Sequence, residues 1–285
     1  MLMRIKRKLL YMSSTHYYFG RSPIKLAIQQ FLRLLAFLKT PAPSADLLAT
    51  MSSIKNTKNG MTALVIGNGP SQELLIAEKV NQYFDDVFVV NDFHKMPVAK
   101  EIKAAYYGLS DPISFRKEIP EIAQDLVSLE NYAEKTGCAF LLPHLKEIEF
   151  SHLSNMKYFF DDRELIFLKK ISPMKPRPYT SVTLYKVLSV AVHLGYSNIY
   201  IIGLDNTEFY NYRGDISNHL YNQAADMSLV FESGIAGRMQ SYAHLFGDLN
   251  KFPKDKIINL DPKSLTDAFP KIESHPVLRN QNVQD

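Results

Sequence analysis

Short apolar runs alternate with amphipathic segments along most of this chain. We predict buried strands in the apolar runs, at 62–67, 86–91, 104–109, 138–143, 165–170, 198–205 and 256–260. Between them, the spacing of apolar positions predicts helices over 71–83, 118–135 and 180–195. Strands that alternate with helices indicate an α/β fold with a mostly parallel sheet and helices on both faces. Ligands of such sheets bind beyond the carboxyl ends of the strands, so the candidate segments are 67–71, 91–94, 108–112 and 203–221.

The first 40 residues differ in charge from the rest. They carry eight Lys and Arg and no acid, so a net charge of +4 leaves about −4 (4 − 8) for the remainder. Residues 23–39 have the pattern of an amphipathic helix, with Lys25, Gln29 and Arg33 four apart on one face. One interpretation is an interfacial helix on an anionic membrane. The other is a helix that packs on the main domain with this polar stripe outward.

The remaining composition limits the class of protein. Prolines make 40–46 a linker, which gives a basic extension and linker over 1–60 and a main domain over 61–285. The lone cysteine, Cys138, excludes an internal disulfide and favours a reducing compartment. No apolar run approaches the ~20 residues of a membrane span, and the N-terminus lacks the apolar stretch of a secretory signal. We therefore expect a cytoplasmic protein, peripheral on the inner face of the cytoplasmic membrane if the helix is interfacial.

The sequence Gly-Asn-Gly-Pro-Ser follows the first predicted strand. Gly67 and Gly69 permit a tight turn and close approach of a ligand, and the helix start that follows favours an anion. The dinucleotide fingerprint needs a third glycine where Gln72 stands, so NAD binding has weak support even with Asp92 as a ribose partner. A tight turn without a ligand also remains open.

Two further segments narrow the set of ligands that this turn could bind. Asn91 ends the second strand, so that with Asn68 two amides follow neighbouring strands and suit a nucleobase or ribose. Thr180 and Ser181 then precede an apolar helix and a strand that ends in Gly-Leu-Asp at 203–205. In this order the motifs, over roughly 62–225, resemble the bacterial sialyltransferase family of Campylobacter type, which uses CMP-activated sugars. They are also similar to related polysaccharide-biosynthesis proteins that share its Rossmann-like domain.

The resemblance implies a GT-A-like variant of the Rossmann-like fold and an inverting, metal-independent glycosyltransferase domain over 61–285. Its donor would be a CMP-sugar that carries sialic acid or a similar acidic sugar. The acceptor would be a cell-surface or lipid-linked glycan of lipopolysaccharide or capsule, with no nucleic-acid partner and no cofactor. A homo-oligomer is compatible with the sequence. The implied nucleotide-binding residues are Gly67, Asn68, Gly69, Ser71, Asn91, Thr180, Ser181, Gly203 and Asp205.

The resemblance also implies roles in the transfer reaction. The family's base matches His219, which would take the proton of the acceptor hydroxyl, and His94 is the second choice. Thr207 stands where the family often has a phosphate-binding tyrosine, so Tyr210, Tyr212 or Tyr221 is expected to fill that role. No Asp-x-Asp motif occurs, which argues against a metal-dependent transferase.

Other residues and functions stay open at this point. We expect His193 to pack inside its helix, and Asp161 and Asp162 to form a solvated turn. The alternative functions are a pyrophosphokinase-like nucleotide-phosphate enzyme, for which Asp205 with Asp92 or Asp111 would hold Mg²⁺, and a non-catalytic glycan-assembly protein.

Overall fold

A computed structural model describes residues 23–146, 157–165, 168–179, 182–205 and 247–279. Its α-helices in these ranges are α1 Pro23–Lys39, α2 Ala45–Ser53, α3 Ala77–Tyr83, α4 Pro120–Thr136 and α5 Thr183–Leu194. Its strands are β1 Thr62–Ile66, β2 Asp86–Val90, β3 Tyr106–Gly108, β4 Ala139–Pro143, β5 Lys157–Phe160, β6 Asn198–Ile202 and β7 Ile257–Asn259.

The seven strands form one parallel sheet in the order β5-β4-β3-β2-β1-β6-β7. The chain adds strands outward from β1 in one direction as far as β5, then returns to the other side of β1 with β6. Within this sheet Ile66, at the end of β1, stands beside Val89 of β2 and Ile202 of β6. The prediction of an α/β fold with a mostly parallel sheet is confirmed, and the point where strand order reverses lies between β1 and β6.

Both faces of the sheet are covered, as the continuous apolar runs predicted. Side chains alternate across a strand, so Leu64 and Ile66 of β1 pack into one hydrophobic cluster while Ala63 and Val65 pack into the other. The second cluster includes α5, whose residues are nearly all buried. This helix ends at Gly195, which has a left-handed backbone (φ +88°).

Two predicted elements differ from the structure. The strand predicted at 165–170 is wrong for the described residues of that range, and the edge strand lies earlier, at β5. There the chain instead folds back so that Leu165 donates its N–H to the carbonyl of Arg177. The helix predicted at 71–83 divides into a 3₁₀ turn, Pro70–Leu74, and α3. Between the two, Leu75 pairs with Leu278 near the C-terminus.

The predicted solvated turn at Asp161 and Asp162 is also wrong for Asp161, which is buried. Asp161 forms an ion pair of 2.7 Å with Arg163, and Asp162 pairs with Arg177 at 3.2 Å and Lys186 at 2.7 Å. Lys186 is 1% exposed, and its burial lowers the pKa of the ammonium to about 8. Carboxylates followed by arginine look like a surface turn in the sequence, but the cations that pair with Asp162 come from distant positions.

The segment before β1 packs on the same body. Ser44 caps α2 by accepting the N–H of Leu47 at 3.3 Å, and the ring Nε2 of His193 donates to the carbonyl of Met51 at 2.7 Å. His193 therefore packs, as expected, and holds α2 against α5. In α1, Arg33 is 7% exposed and pairs with Glu164 at 3.1 Å, so the predicted polar stripe turns inward at this position.

Candidate functional site at the carboxyl edge of the sheet

The loops after β1 and β6 contact each other at the reversal of strand order. Gly67 donates its N–H to Ile202 (2.7 Å) and Gly69 donates to Gly203 (3.0 Å). A Cβ at Gly67 would collide with the carbonyl of Gly203, and a Cβ at Gly203, where φ is +76°, would collide with that of Gly67. These glycines were predicted to admit a ligand. In the structure, their lack of a side chain lets the two loops approach each other.

Gln72 explains why the third glycine of the dinucleotide fingerprint is absent. Its side chain is fully buried, and its Nε2 donates to the carbonyl of Gly67. The amide therefore closes the turn from inside, in the space that a glycine would leave open for close packing of helix and strand. The sequence showed that this glycine is missing, but not that Gln72 forms a hydrogen bond in its place.

Ser71 and Asp205 join the same two loops. The Ser71 N–H donates to Asp205 Oδ1 at 3.0 Å, and the Gly203 N–H donates to Ser71 Oγ at 2.9 Å. The other carboxylate oxygen, Oδ2, is buried and has no hydrogen-bond partner among the described residues. Both side chains, which were predicted to contact the nucleotide, thus also hold the two loops together.

Asp205 is an unusual carboxyl group for its position. It is 5% exposed, and burial is the main reason that its pKa rises from the ordinary 3.8 to about 7. Neighbouring Asp261 raises the pKa further, while the hydrogen bonds from Ser71 lower it. Because folding buries this carboxyl group beside a second one, it favours the protonated form of Asp205.

The two asparagines predicted to contact the nucleotide each have a side-chain oxygen that is not used in a hydrogen bond with the described residues. Asn68 is 8% exposed and Asn91 is half-buried, and neither side-chain Oδ1 has a partner in the described part of the chain. Asn91 also has a left-handed backbone, with φ at +49°, which asparagine adopts more readily than most residues. Buried amide oxygens without a protein partner are typical of groups that meet a ligand.

Tyr107 of β3 fixes the conformation of the loop after β2. Its hydroxyl donates to the carbonyl of Asn91, and it accepts the backbone N–H of His94 at 3.1 Å. The ring Nδ1 of His94 lies 2.9 Å from the same oxygen. Burial lowers the pKa of His94 and raises that of Tyr107, so both are neutral near pH 7. Nothing in the sequence pattern distinguished Tyr107 from an ordinary buried strand residue.

A cavity of about 180 Å³ lies beside His94, beyond the ends of β2 and β3. Its polar lining comes from six residues: Asn91, Asp92, His94, Lys95, Ser114 and Asp125. Among them, Lys95 pairs with Asp92 (3.0 Å) and Asp125 (2.5 Å). The apolar lining comes from Leu109 and from one side of α4, at Ile122, Leu126 and Leu129.

The structure therefore brings together Gly67, Asn68, Gly69, Ser71, Gly203 and Asp205 at one edge, with Asn91 on the adjacent strand. Six predicted site residues lie outside the described residues: Thr180, Ser181, Tyr210, Tyr212, His219 and Tyr221. Within the described ranges, no three His, Cys, Asp or Glu side chains lie close enough to hold a metal ion. No helix in those ranges is long and apolar enough to span a membrane.

Comparison with known proteins gives distant similarities of fold. The sialyltransferase CstII from Campylobacter jejuni, in complex with CMP, is 15% identical with a TM-score of 0.46, covering 75% of this chain and 86% of that one. The monofunctional α-2,3-sialyltransferase Cst-I from Campylobacter jejuni is 13% identical with a TM-score of 0.45, covering 87% and 86%. The sialyltransferases that the sequence motifs resemble are thus among the solved structures that match.

A second group is represented by the MAf glycosyltransferase from Magnetospirillum magneticum AMB-1. It is 15% identical with a TM-score of 0.46, and the match covers 89% of this chain but 42% of that protein. No protein-family model and no curated protein matches the sequence.

Proposed function

We propose that this protein is an inverting glycosyltransferase that uses a CMP-activated acidic sugar and acts on a glycan or lipid-linked glycan. The observation that carries the proposal is the meeting of the predicted nucleotide residues at the reversal of strand order. Asn68, beside this reversal, and Asn91, after the adjacent strand β2, each keep a buried amide oxygen without a partner among the described residues. Amide groups at this edge suit the neutral base and ribose of a nucleotide.

The proposed reaction needs few groups. The acceptor oxygen attacks the anomeric carbon, the bond from that carbon to the phosphate oxygen breaks, and CMP leaves with the electron pair. In the sequence-based assignment, His219 takes the acceptor proton, and hydroxyls of Thr180, Ser181 and one of three tyrosines stabilise the phosphate charge. No step requires a metal ion, which separates this proposal from a magnesium-dependent nucleotide-phosphate enzyme.

Nucleotide binding provides the test of the site. We expect Asn68→Ala and Asn91→Ala each to weaken CMP binding by roughly 1–3 kcal/mol, as measured by calorimetry, because each removes a partner of the ligand. Asn81→Ala is the matched control, since its amide bonds to Lys103 at the opposite end of the strands, at 2.8 Å. Unchanged CMP affinity in both site variants would count against the proposal.

Transfer itself is tested with CMP-sialic acid and a glycan acceptor, with and without EDTA. We expect transfer that EDTA leaves unchanged. Activity that requires Mg²⁺ would favour the nucleotide-phosphate enzyme, and CMP binding without transfer from any CMP-sugar would favour a non-catalytic glycan-assembly protein.

We also propose that α1 rests on an anionic membrane near the acceptor. Its large apolar side chains Phe31, Leu34 and Leu38, at helical spacing, are 59%, 41% and 69% exposed. Arg33 pairs inward with Glu164, so the helix is attached to the body at this position and shows these apolar groups outward. The eight basic residues of the first 40, without an acid, complement anionic lipid.

Vesicle flotation tests this placement. The triple variant Phe31→Ser, Leu34→Ser, Leu38→Ser should lose most binding to vesicles that contain phosphatidylglycerol, and the wild type should bind less at high salt. Val127→Ser removes a similarly exposed apolar group (55%) from α4 and should bind as the wild type does. Equal flotation of the triple variant and the wild type would refute the proposal, as would a loss of self-association without a loss of lipid binding.

A further inference from the structure

The ring of His94 is fixed in one tautomer by its neighbours. The single hydroxyl proton of Tyr107 goes to the carbonyl of Asn91, which can only accept. The Tyr107 oxygen must therefore accept from its two other neighbours, the backbone N–H of His94 at 3.1 Å and the ring Nδ1 at 2.9 Å. It follows that Nδ1 carries the proton and that Nε2 of the neutral ring carries a lone pair.

Within the described part of the protein, no donor forms a hydrogen bond to this lone pair. His94 Nε2 is buried and has no hydrogen-bond partner among the described residues, and the same holds for Asn91 Oδ1. Both residues line the cavity beyond β2 and β3. Two buried acceptors beside one cavity suit a ligand that brings N–H or O–H donors, since an unpaired buried acceptor is costly.

The cavity also limits the shape of that ligand. At about 180 Å³ it is smaller than the ~300–1,000 Å³ pockets that hold a whole drug-sized molecule, so it takes one ring or group of a larger ligand. Leucine and isoleucine side chains from α4 and from the end of β3 form its apolar part, which suits the face of a flat ring better than a sugar covered in hydroxyls.

Resting on the proposed function, we infer that this cavity is the subsite for the cytosine ring of the donor and that His94 Nε2 accepts a hydrogen bond from its exocyclic amine. A CMP-sugar has a flat ring, cytosine, whose exocyclic amine offers two N–H donors to these two acceptors. Uracil has a carbonyl oxygen in the place of the amine, so its lone pair would face that of Nε2. The Tyr107–His94 pair would thus make the protein select cytidine over uridine nucleotides.

Calorimetry with CMP and UMP on the full chain tests the selection. We expect the wild type to bind CMP roughly tenfold or more tightly than UMP, as one mismatched buried hydrogen bond costs. His94→Gln should bring the two affinities together, because an amide can present either an acceptor or a donor. His275→Gln, a histidine outside this cavity, should leave the ratio unchanged.

Nitrogen NMR of the labelled protein gives a second measurement that does not depend on nucleotide. Long-range proton–nitrogen spectra should show His94 with a protonated Nδ1 and an unprotonated Nε2 at neutral pH, and CMP should shift the Nε2 signal. The reverse tautomer would overturn the inference. Equal binding of CMP and UMP would overturn it while leaving the proposed function in place, whereas binding of neither nucleotide would overturn both.

Discussion

Asp205→Asn is the substitution for which the structure gives the most definite expectation. The asparagine has the same shape, and its Oδ1 can still accept the Ser71 N–H that the aspartate holds at 3.0 Å. What it removes is the ionisable group beside Asp261. The variant therefore separates the cost of a buried charge from the contacts that close the loops.

The size of the effect follows from the pKa of Asp205, raised by burial from 3.8 to about 7. Since each tenfold change in proton affinity is worth about 1.36 kcal/mol, the charged form is disfavoured by folding by roughly 4 kcal/mol at most. Between these two pKa values the folded protein keeps a proton that the unfolded chain has lost. The free energy of unfolding of the wild type therefore falls as pH rises from about 4 to about 7, and then levels off.

Urea unfolding across that pH range is the assay. We expect Asp205→Asn to resemble the wild type near pH 4 and to be more stable near pH 8, by up to roughly 4 kcal/mol. Asp267→Asn, at a carboxylate that is 88% exposed, is the matched control and should show no such gain. A stability difference between Asp205→Asn and wild type that stays constant with pH would refute the reasoning.

Three further predictions concern packing, attachment and chemistry. Gly69→Ala should destabilise the fold by about 1–3 kcal/mol in urea unfolding, because its Cβ would collide with the Asp205 side chain, whereas Gly247→Ala, which meets nothing within 4 Å, should have little effect. Equal stability of the two would contradict the contact between the loops. Arg33→Met should cost roughly 1–3 kcal/mol by the same assay, less than for a charge left alone because Arg177 still pairs with Glu164 at 2.8 Å. His219→Ala should lower turnover by about 10²-fold or more with little change in CMP affinity, and near-full activity in this variant would remove it as the base.

Much of the fold was predictable from the sequence because its signals are local. Apolar runs of strand length, separated by amphipathic helices, were enough for a parallel sheet covered on both faces. Gly195 marked the end of α5, and Gly67 to Ser71 marked the turn after β1. The edge strand was misplaced because Lys157–Phe160 and the run at 165–170 have similar apolar content, and local pattern does not determine which of them pairs with β4.

The roles of the site residues depended on contacts across long stretches of chain. The sequence by itself determined that Gly67, Asn91 and Asp205 follow strands and so meet at one edge of the sheet. The tertiary structure decided that the loop at Gly203 packs directly against Gly67. It also decided that Asp205 accepts a hydrogen bond from Ser71, 134 positions away, and lies beside a second carboxyl group. It also decided the tautomer of His94 through Tyr107. The physical reason is that strand periodicity depends on residues close together in the sequence. Burial, proton affinity and hydrogen-bond partners depend on residues that are distant in the sequence and become neighbours only in the folded protein.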